Sequence, residues 1–413
     1  MTTEPRTGAS ATAALRPTGR GAERVAGTVA ALEAGRREGL HLGAQLYVSL
    51  AGRPVAELAT GVTRPGGPPL TPDHLMLWLS ATKPVAALAV AQLWENGLLA
   101  LDDPVARHLP EFAAGGKERV TIRHLLTHTA GIRMLQTGWP DEPWEALIAR
   151  VAARKLEPRW VPGEKAGYHQ ASSWFVLGEL VRRLDGRRFE DYVREEIFLP
   201  LGQPDAWIGM PPERWRAYRD DGRLAPVFDT AEDAAAEGPR DQGWDAELRV
   251  TRPSPGGNGW GPMRSLGRFY EALLDGGGGL VAPQTVEAMV ARHRAGLFDH
   301  TFQHVMDWGL GFIIDSKQYG ADTVPYAYGH LCSRRTYGHS GFRSMVGLAD
   351  PEHGLAVALA FNGTPAADAH EARVRRVLDA LYRDLGLAAP EDAAGDDDGI
   401  EANEPGGGEE DPR

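Results

Sequence analysis

The stretch Leu79–Gly97 reads LSATKPVAALAVAQLWENG, and it decides what fold this chain is expected to adopt. Ser80 and Lys83, three positions apart, open a run of apolar residues that is typical of a buried helix. Pro84 is compatible only with the first turn of such a helix, and Asn96-Gly97 supplies a stop. The pattern predicts a helix from Ser80 to Asn96 that carries the hydroxyl and the amine on one face.

The expected burial of this helix affects the protonation of Lys83 and therefore the reactivity of Ser80. A charged ammonium is disfavoured in an apolar environment, so Lys83 is expected to accept the proton of Ser80. Amides at the helix N-terminus favour a developing oxyanion. Ser80 is therefore the candidate nucleophile of an acyl-transfer reaction. The bare S-x-x-K pattern is only moderately specific, so other segments have to support this interpretation.

Two β-rich blocks lie on either side of a helical region. Gln45–Leu50 and Val55–Thr60, joined by a Gly52-Arg53 turn, predict a β-hairpin. Further strands are predicted at Gly311–Ile314, Thr336–His339, Ser344–Leu348 and Leu355–Phe361, followed by a helix at Glu371–Leu385. Further helices are predicted at Ile122–His128, Ser172–Leu184 and Leu266–Leu274. We expect an α/β (α+β) fold, in which an antiparallel sheet flanked by helices (strands from about 40–65 and 305–387) receives an all-helical insertion (about 80–300).

The two ends of the chain differ in composition from its middle. Residues 1–25 are rich in Thr, Ala, Gly and Arg and lack the apolar core of a secretory signal, so we expect a disordered leader and a cytoplasmic protein. Residues 388–413 hold ten acidic side chains against one arginine and predict an acidic disordered tail. The formal net charge of −12 is therefore mostly local, and residues 26–387 are expected to form the catalytic domain.

Several classes of partner are not expected. Cys332 is the single cysteine, which rules out an intrachain disulfide and a multi-cysteine metal site, and it is expected to be a small buried residue. No apolar run has the roughly 18–20 residues of a membrane span. Neither the body nor the tail has the basic character of a nucleic-acid-binding protein. We expect no cofactor and no metal, and a small-molecule acyl donor and acceptor as partners.

Four segments in order carry a resemblance to a known family. They are Leu79–Pro84, Val120–Gly131 (VTIRHLLTHTAG), Pro162–Tyr168 (PGEKAGY) and Gly338–Gly341 (GHSG). From about Ala26 to Leu385 the chain resembles the serine β-lactamase and penicillin-binding-protein superfamily, in particular the class C β-lactamase-like esterases and transacylases. The resemblance implies a sheet flanked by helices, an all-helical domain and an active site between them.

The resemblance also implies roles for individual residues. Ser80 is the nucleophile, Lys83 its proton acceptor, and Tyr168 the partner that helps to deprotonate Ser80 and to protonate the leaving group. The backbone amides of Ser80 and Phe342 form the oxyanion hole, and Ser340 contacts the substrate from its strand.

Two positions depart from the family pattern. The family's Tyr-x-Asn is Tyr168-His169-Gln170 here, so Gln170 is the candidate for the amide role, although its side chain is one methylene longer. His339 stands where β-lactamases have a lysine that helps to hold the substrate carboxylate. An esterase or transacylase, with His339 near an uncharged substrate, is therefore favoured over a β-lactamase.

Other signals have simpler interpretations. His124 and His128 have the spacing of a zinc helix but lack the glutamate of H-E-x-x-H, and His300 and His304 share that spacing without a supporting acidic ligand. Ser340 does not fit a G-x-S-x-G elbow, because residue 342 is phenylalanine. Trp260 is interpreted either as part of an acyl pocket or as a packing residue.

The function predicted from these residues is serine acyl transfer. An acyl group passes from a small ester or amide to Ser80, and then to water (esterase) or to an amine or alcohol (transacylase). The Arg-, Ala- and Gly-rich composition suits a high-GC bacterium with a natural-product pathway that uses a transacylase. The alternatives are a β-lactamase-type amide hydrolase and a non-catalytic binding or sensor module with the same fold.

Overall fold

A computed structural model describes residues 16–231 and 238–387 of the 413-residue chain. Its largest feature is an eight-stranded antiparallel sheet with the strand order β1-β3-β2-β15-β14-β13-β12-β11. These strands are β1 (Thr18–Arg20), β2 (Gly43–Leu50), β3 (Arg53–Gly61), β11 (Asp307–Trp308), β12 (Ile313–Ile314), β13 (Tyr337–Gly341), β14 (Met345–Asp350) and β15 (Leu355–Phe361). The predicted hairpin is thus correct, and its strand β2 pairs with β15 from the far end of the chain.

Eight shorter strands complete the β structure of the described residues. They are β4 (Met76–Leu79), β5 (Trp207–Ile208), β6 (Phe228–Asp229), β7 (Arg240–Asp241), β8 (Gly259–Gly261), β9 (Phe298–Asp299), β10 (His304–Val305) and β16 (Gly363–Thr364). The small sheet β4-β8-β5 matters most for the site, because β4 leads directly into Ser80.

Eleven α-helices lie in the described part of the chain. They are α1 (Ala26–Arg37), α2 (Lys83–Glu95), α3 (Ile122–Leu126), α4 (Trp144–Ala153), α5 (Ser172–Asp185), α6 (Phe189–Val193), α7 (Pro212–Asp220), α8 (Glu247–Thr251), α9 (Met263–Leu274), α10 (Pro283–Val290) and α11 (Ala367–Asp384). Short 3₁₀ turns occur at Ala22–Val25, Ser80–Thr82, Val105–Arg107, Pro110–Ala113 and Lys317–Tyr319, and a π-helical turn at Arg194–Phe198. None of the described helices is both long and apolar enough to cross a bilayer.

Helices cover both faces of the large sheet. Helices α1 and α11 pack together on one face, and α9 packs on the other against β2, β14 and β15. The close approach of α9 requires glycine at position 267, because a Cβ there would collide with the ring of Tyr47. Between β4 and β11 most of the regular secondary structure of the described residues is helical. The expected fold, an antiparallel sheet flanked by helices with a helical insertion, is therefore confirmed.

Helix α2 forms the centre of the helical region. Every side chain from Lys83 to Leu93 is buried, which explains why its sequence is apolar on all sides rather than amphipathic. Its main neighbour is α5, and both contribute to the largest hydrophobic core. The first three residues of the predicted helix, Ser80–Thr82, form a 3₁₀ turn instead.

The prediction of a disordered leader over residues 1–25 is wrong for residues 16–25. Strand β1 pairs with β3, and the hydroxyl of Thr18 donates to the carbonyl oxygen of Leu70 at 2.9 Å. Arg20 forms an ion pair with Glu57, and Val25 is fully buried. The polar composition concealed these contacts, because an edge strand needs only backbone partners. Residues 1–15 and the predicted acidic tail at 388–413 lie outside the described residues.

Candidate active site

Ser80 begins the turn between β4 and α2. The residue before it, Leu79, has a φ of 45° and a ψ of −133°, a strained conformation for a residue with a side chain. The hydroxyl of Thr82 accepts a hydrogen bond from the backbone N–H of Gly259 at 2.8 Å, which ties the turn to β8. The Ser80 side chain is half-buried, so the turn presents its hydroxyl at an accessible point.

Lys83 lies beside Ser80, as the spacing predicted. Its Nζ is 2.9 Å from Ser80 Oγ and donates to the carbonyl oxygen of Gly256 at 2.7 Å. The side chain is fully buried, and no carboxylate forms an ion pair with it among the described residues. Burial therefore holds the pKa of Lys83 well below the ordinary lysine value. A neutral amine in this position can accept the proton of Ser80.

Tyr168 completes the contacts of the serine hydroxyl. Its OH donates to Ser80 Oγ at 2.7 Å, and its ring centre lies 5.0 Å from Lys83 Nζ. The residue is 9% exposed, and burial raises the pKa of Tyr168 far above its ordinary value. Tyr168 is therefore a protonated phenol in the resting site, and its hydroxyl has a proton that it can donate.

The backbone around Tyr168 is fixed by contacts that the sequence did not reveal. Asp299 Oδ1 accepts the backbone N–H of Tyr168 at 3.1 Å, while Asp299 Oδ2 pairs with the buried Arg294 at 2.8 Å. His128 accepts the N–H of Gly167 with its carbonyl oxygen at 3.0 Å and that of His169 with Nδ1 at 2.9 Å. Four hydrogen bonds and ion pairs thus hold the tyrosine over the serine.

Aromatic rings enclose the lysine and tyrosine. Trp174 lies with its ring centre 5.5 Å from Lys83 Nζ, and Trp308 lies 5.8 Å from the ring of Tyr168. Both tryptophans are fully buried. Trp308 and the carbonyl of Gly256 come from distant segments, and Trp174 lies in the predicted helix that follows Tyr168. No sequence motif marks any of the three as part of the site.

Gln170 is not brought into contact with the three central residues. Its side chain is exposed, and it makes no hydrogen bond with Lys83, whose second partner is the carbonyl oxygen of Gly256 instead. His169, between Tyr168 and Gln170, points inward and accepts the N–H of Ile132 at 3.0 Å. The amide role of Gln170 therefore remains a prediction without a supporting contact.

Strand β13 carries the other predicted residues. His339 is 2% exposed, Ser340 is buried and Phe342, in the turn after the strand, is 49% exposed. A Cβ at Gly341 would lie 2.6 Å from the carbonyl oxygen of Trp78, so this end of β13 runs directly beside the segment before Ser80. That proximity is what an oxyanion hole made from the amides of residues 80 and 342 requires.

His339 faces the interior rather than open space. Its Nδ1 donates to the carbonyl oxygen of Ser340 at 2.8 Å, and its Nε2 is buried without a partner among the described residues. Its ring centre lies 5.6 Å from Trp308 and 6.1 Å from Tyr168. Burial, with a smaller contribution from Lys83, lowers the pKa of His339 to about 3, so the imidazole is neutral. It adjoins the tyrosine, and its contact with substrate remains a prediction.

The weaker sequence signals have structural explanations. His124 completes a capping box with Thr121 at the start of α3, and His304 contacts Thr323. Trp260 is buried in β8 within a small core beside β4 and β5, so it packs rather than lines a pocket. Cys332 is buried, as expected. In the described ranges, no three His, Cys, Asp or Glu side chains are grouped to hold a metal ion.

Known proteins share this sequence and this fold. The family model described as Beta-lactamase matches residues 28–382. The esterase EstB of Burkholderia gladioli is 31% identical over 360 residues, which cover 79% of this chain and 87% of EstB. The esterase/beta-lactamase LipL of Mycobacterium tuberculosis is 27% identical over 361 residues, which cover 79% of this chain and 78% of LipL.

A solved structure of a known protein has the same fold. The crystal structure of a family VIII carboxylesterase superposes with a TM-score of 0.74 at 28% identity, and the match covers 90% of this chain and 100% of that one. Since the family model matches most of the chain, and its relatives include an esterase in sequence and a carboxylesterase in fold, this protein belongs to the β-lactamase family, as a serine hydrolase or acyltransferase.

Proposed function

We propose that this protein is an esterase or transacylase that acts on small esters or amides through an acyl-Ser80 intermediate. The observation that carries the proposal is the position of Ser80 Oγ, 2.9 Å from a buried lysine amine and 2.7 Å from a buried tyrosine hydroxyl. A hydroxyl between a neutral base and a phenolic donor is suited to attack a carbonyl carbon.

Acylation follows from these contacts. Lys83 takes the proton of Ser80 as Oγ attacks the carbonyl carbon, and the amides of Ser80 and Phe342 stabilise the oxyanion. Collapse of the tetrahedral intermediate breaks the bond to the leaving oxygen or nitrogen, which receives the proton of Tyr168. The ammonium of Lys83 then returns a proton to the tyrosine.

Deacylation repeats these steps with a new nucleophile. The nucleophile is water or an acceptor alcohol or amine. Tyr168 and Lys83 remove its proton as it attacks the acyl carbon, and Ser80 is released. Water gives a carboxylic acid, and the acceptor gives a new ester or amide. The names of EstB and of the family VIII carboxylesterase support ester chemistry for this chain.

Hydrolysis of β-lactams is the second candidate, because the name of LipL includes both activities. The charge distribution argues against it. The residue at the position of the family's strand lysine is the neutral, buried His339, so it offers no cation to a substrate carboxylate. We therefore place ester substrates ahead of β-lactams.

Mass spectrometry of the intact protein tests the proposal. Wild-type protein incubated with a series of short p-nitrophenyl acyl esters is expected to gain the mass of one acyl group, and Ser80→Ala is expected to gain none while remaining folded. Ser49→Ala is the matched control, because Ser49 is a buried serine of β2 outside the site. An adduct or a burst of ester turnover in Ser80→Ala would refute the nucleophile, and a wild type that never acylates would indicate a binding module.

A further inference from the structure

A row of three aromatic rings leads away from the nucleophile. The ring of Phe302 lies 4.7 Å from that of Tyr168 at an interplanar angle of 31°. The ring of Tyr326 lies edge-on to Phe302 at 5.4 Å. Phe302 and Tyr326 are both half-buried, so each has a covered side against the core and a side that is still open. The row therefore forms an aromatic wall that begins at Tyr168, the residue whose hydroxyl contacts Ser80.

Two carboxylates fix the backbone of Phe302 and Tyr326. Asp299 Oδ1 accepts the N–H of Phe302 at 3.0 Å as well as that of Tyr168, which connects the backbones of these two residues through one carboxylate. Glu371, on α11, accepts the N–H of Tyr326 with both of its oxygens at 3.0 and 3.1 Å. Tyr326 is held at a φ of 59°, a conformation that costs energy for a residue with a side chain. Such fixed, strained positions are common at ligand contacts.

The position of the wall determines which part of a substrate would touch it. Tyr168 exchanges a proton with the leaving group during acylation and with the acceptor during deacylation, and both must therefore lie at its hydroxyl. The ring of Phe302 packs against that of Tyr168, and the ring of Tyr326 packs against that of Phe302. The wall therefore begins at the side chain that contacts the alcohol or amine part of a substrate.

We propose that Phe302 and Tyr326 form a subsite for an aromatic alcohol or amine, as the leaving group of the acyl donor or as the acceptor. This inference rests on the proposed function. Aromatic rings prefer offset or edge-to-face partners, and each such pair contributes interaction free energy beyond that of burying apolar area. The reaction needs no further reactant. The bond from the acyl carbon to Ser80 Oγ breaks, the bond to the acceptor oxygen forms, and the acceptor's proton returns to Ser80 through Tyr168 and Lys83.

Partition of one acyl-enzyme between acceptors tests the subsite. The protein is acetylated with p-nitrophenyl acetate, and transfer to benzyl alcohol, cyclohexylmethanol or methanol is measured relative to hydrolysis. Wild type is expected to favour benzyl alcohol over cyclohexylmethanol, which has a similar size and no π-system. Phe302→Leu and Tyr326→Leu are each expected to reduce that preference about fivefold, the loss of about one aromatic contact.

Three controls make the result specific. Phe298→Leu removes an exposed phenylalanine whose ring contacts His300 and not the wall, and it is expected to retain the preference. Phe302→Tyr keeps the aromatic ring and should retain it as well. Thermal denaturation of each variant identifies any that fails to fold, and Phe302→Tyr then keeps the position testable.

The outcomes separate this inference from the proposed function. A wild type that acylates but shows no preference for benzyl alcohol overturns the subsite alone. An equal loss for all three acceptors in Phe302→Leu and Tyr326→Leu, or an equal loss in Phe298→Leu, also overturns it, because the rings would then only pack the core. Absence of any acyl-Ser80 adduct overturns both the subsite and the function on which it rests.

Discussion

His339 stands at the position where a β-lactamase is expected to have a lysine. The substitution His339→Lys therefore gives this site the β-lactamase residue. The imidazole is 2% exposed, adjoins Tyr168 and Trp308, and stays neutral because burial lowers the pKa of His339 to about 3. Wild type is therefore expected to hydrolyse a p-nitrophenyl ester much better than a chromogenic cephalosporin, whose carboxylate would enter the site unpaired.

Two effects of the substitution can be given a magnitude. A hydrogen bond between an ammonium and a carboxylate contributes about 1.5–3 kcal/mol, so the ratio of kcat/KM for the cephalosporin to that for the ester should rise about 10–100-fold. An ammonium at position 339 would lie in the interior near the neutral amine of Lys83, and its burial there costs several kcal/mol. His339→Lys is therefore expected to melt at a lower temperature than wild type at pH 7 and to recover part of that loss as the pH rises.

The assay compares both substrates in wild type, His339→Lys and His339→Met. Methionine is the matched control, since it is an unbranched side chain of similar length without charge. A rise of the ratio in His339→Met as large as that in His339→Lys would mean that shape and not charge limits the cephalosporin. A ratio that does not change in His339→Lys, or a wild type that hydrolyses both substrates equally well, would refute the role given to His339.

Three further substitutions test other parts of the site. Tyr168→Phe removes the hydroxyl 2.7 Å from Ser80 and is expected to slow acylation by about 10²–10⁴-fold in stopped-flow burst measurements. An unchanged acylation rate in Tyr168→Phe would mean that another group donates the proton. Lys83→Ala should cause a loss in the same range, and the acylation rate of wild type should rise with pH as Lys83 loses its proton, below the ordinary lysine range. A rate independent of pH would count against a lysine base. Burial raises the pKa of Glu371 to about 7 from its ordinary 4.5, so the folded state binds more protons and loses stability as pH rises from about 4.5 through 7. Glu371→Gln should therefore stabilise the protein more at pH 8 than at pH 5, by at most about 3 kcal/mol in denaturant unfolding, and equal effects at both values would contradict this.

The residues that could be predicted from sequence share one property, which is that local geometry brings them together. Ser80 and Lys83 meet because positions three apart lie on one side of a helical turn, and their 2.9 Å separation follows from that spacing. The hairpin of β2 and β3 is also local. Tyr168 is 88 positions from Ser80 and was identified only through the resemblance of Pro162–Tyr168 to a family segment.

The residues that escaped prediction act through long-range contacts without a pattern of their own. Asp299 reaches the backbone of Tyr168 from 131 positions away, and Gly256 binds Lys83 through a carbonyl group that every residue has. Gln170 is predicted for the amide role because it follows Tyr168 in the sequence. That position does not determine whether its side chain faces the site or the solvent. The early strand Thr18–Arg20 escaped prediction because its stability comes from backbone pairing with β3.

The neutral imidazoles around the lysine determine how the site can respond to pH. Burial lowers the pKa of His169 to about 3, as it does for His339, and holds the pKa of His128 well below the ordinary value. None of these rings gains charge as pH falls through 6.5, where an exposed histidine would titrate. Arg294 is a buried cation that is already paired with Asp299, the carboxylate that binds the backbone of Tyr168. In the proposed mechanism, Lys83 is thus the one nearby described group whose loss of a proton provides a base for Ser80, and the acid side of the pH–rate profile should report that single event.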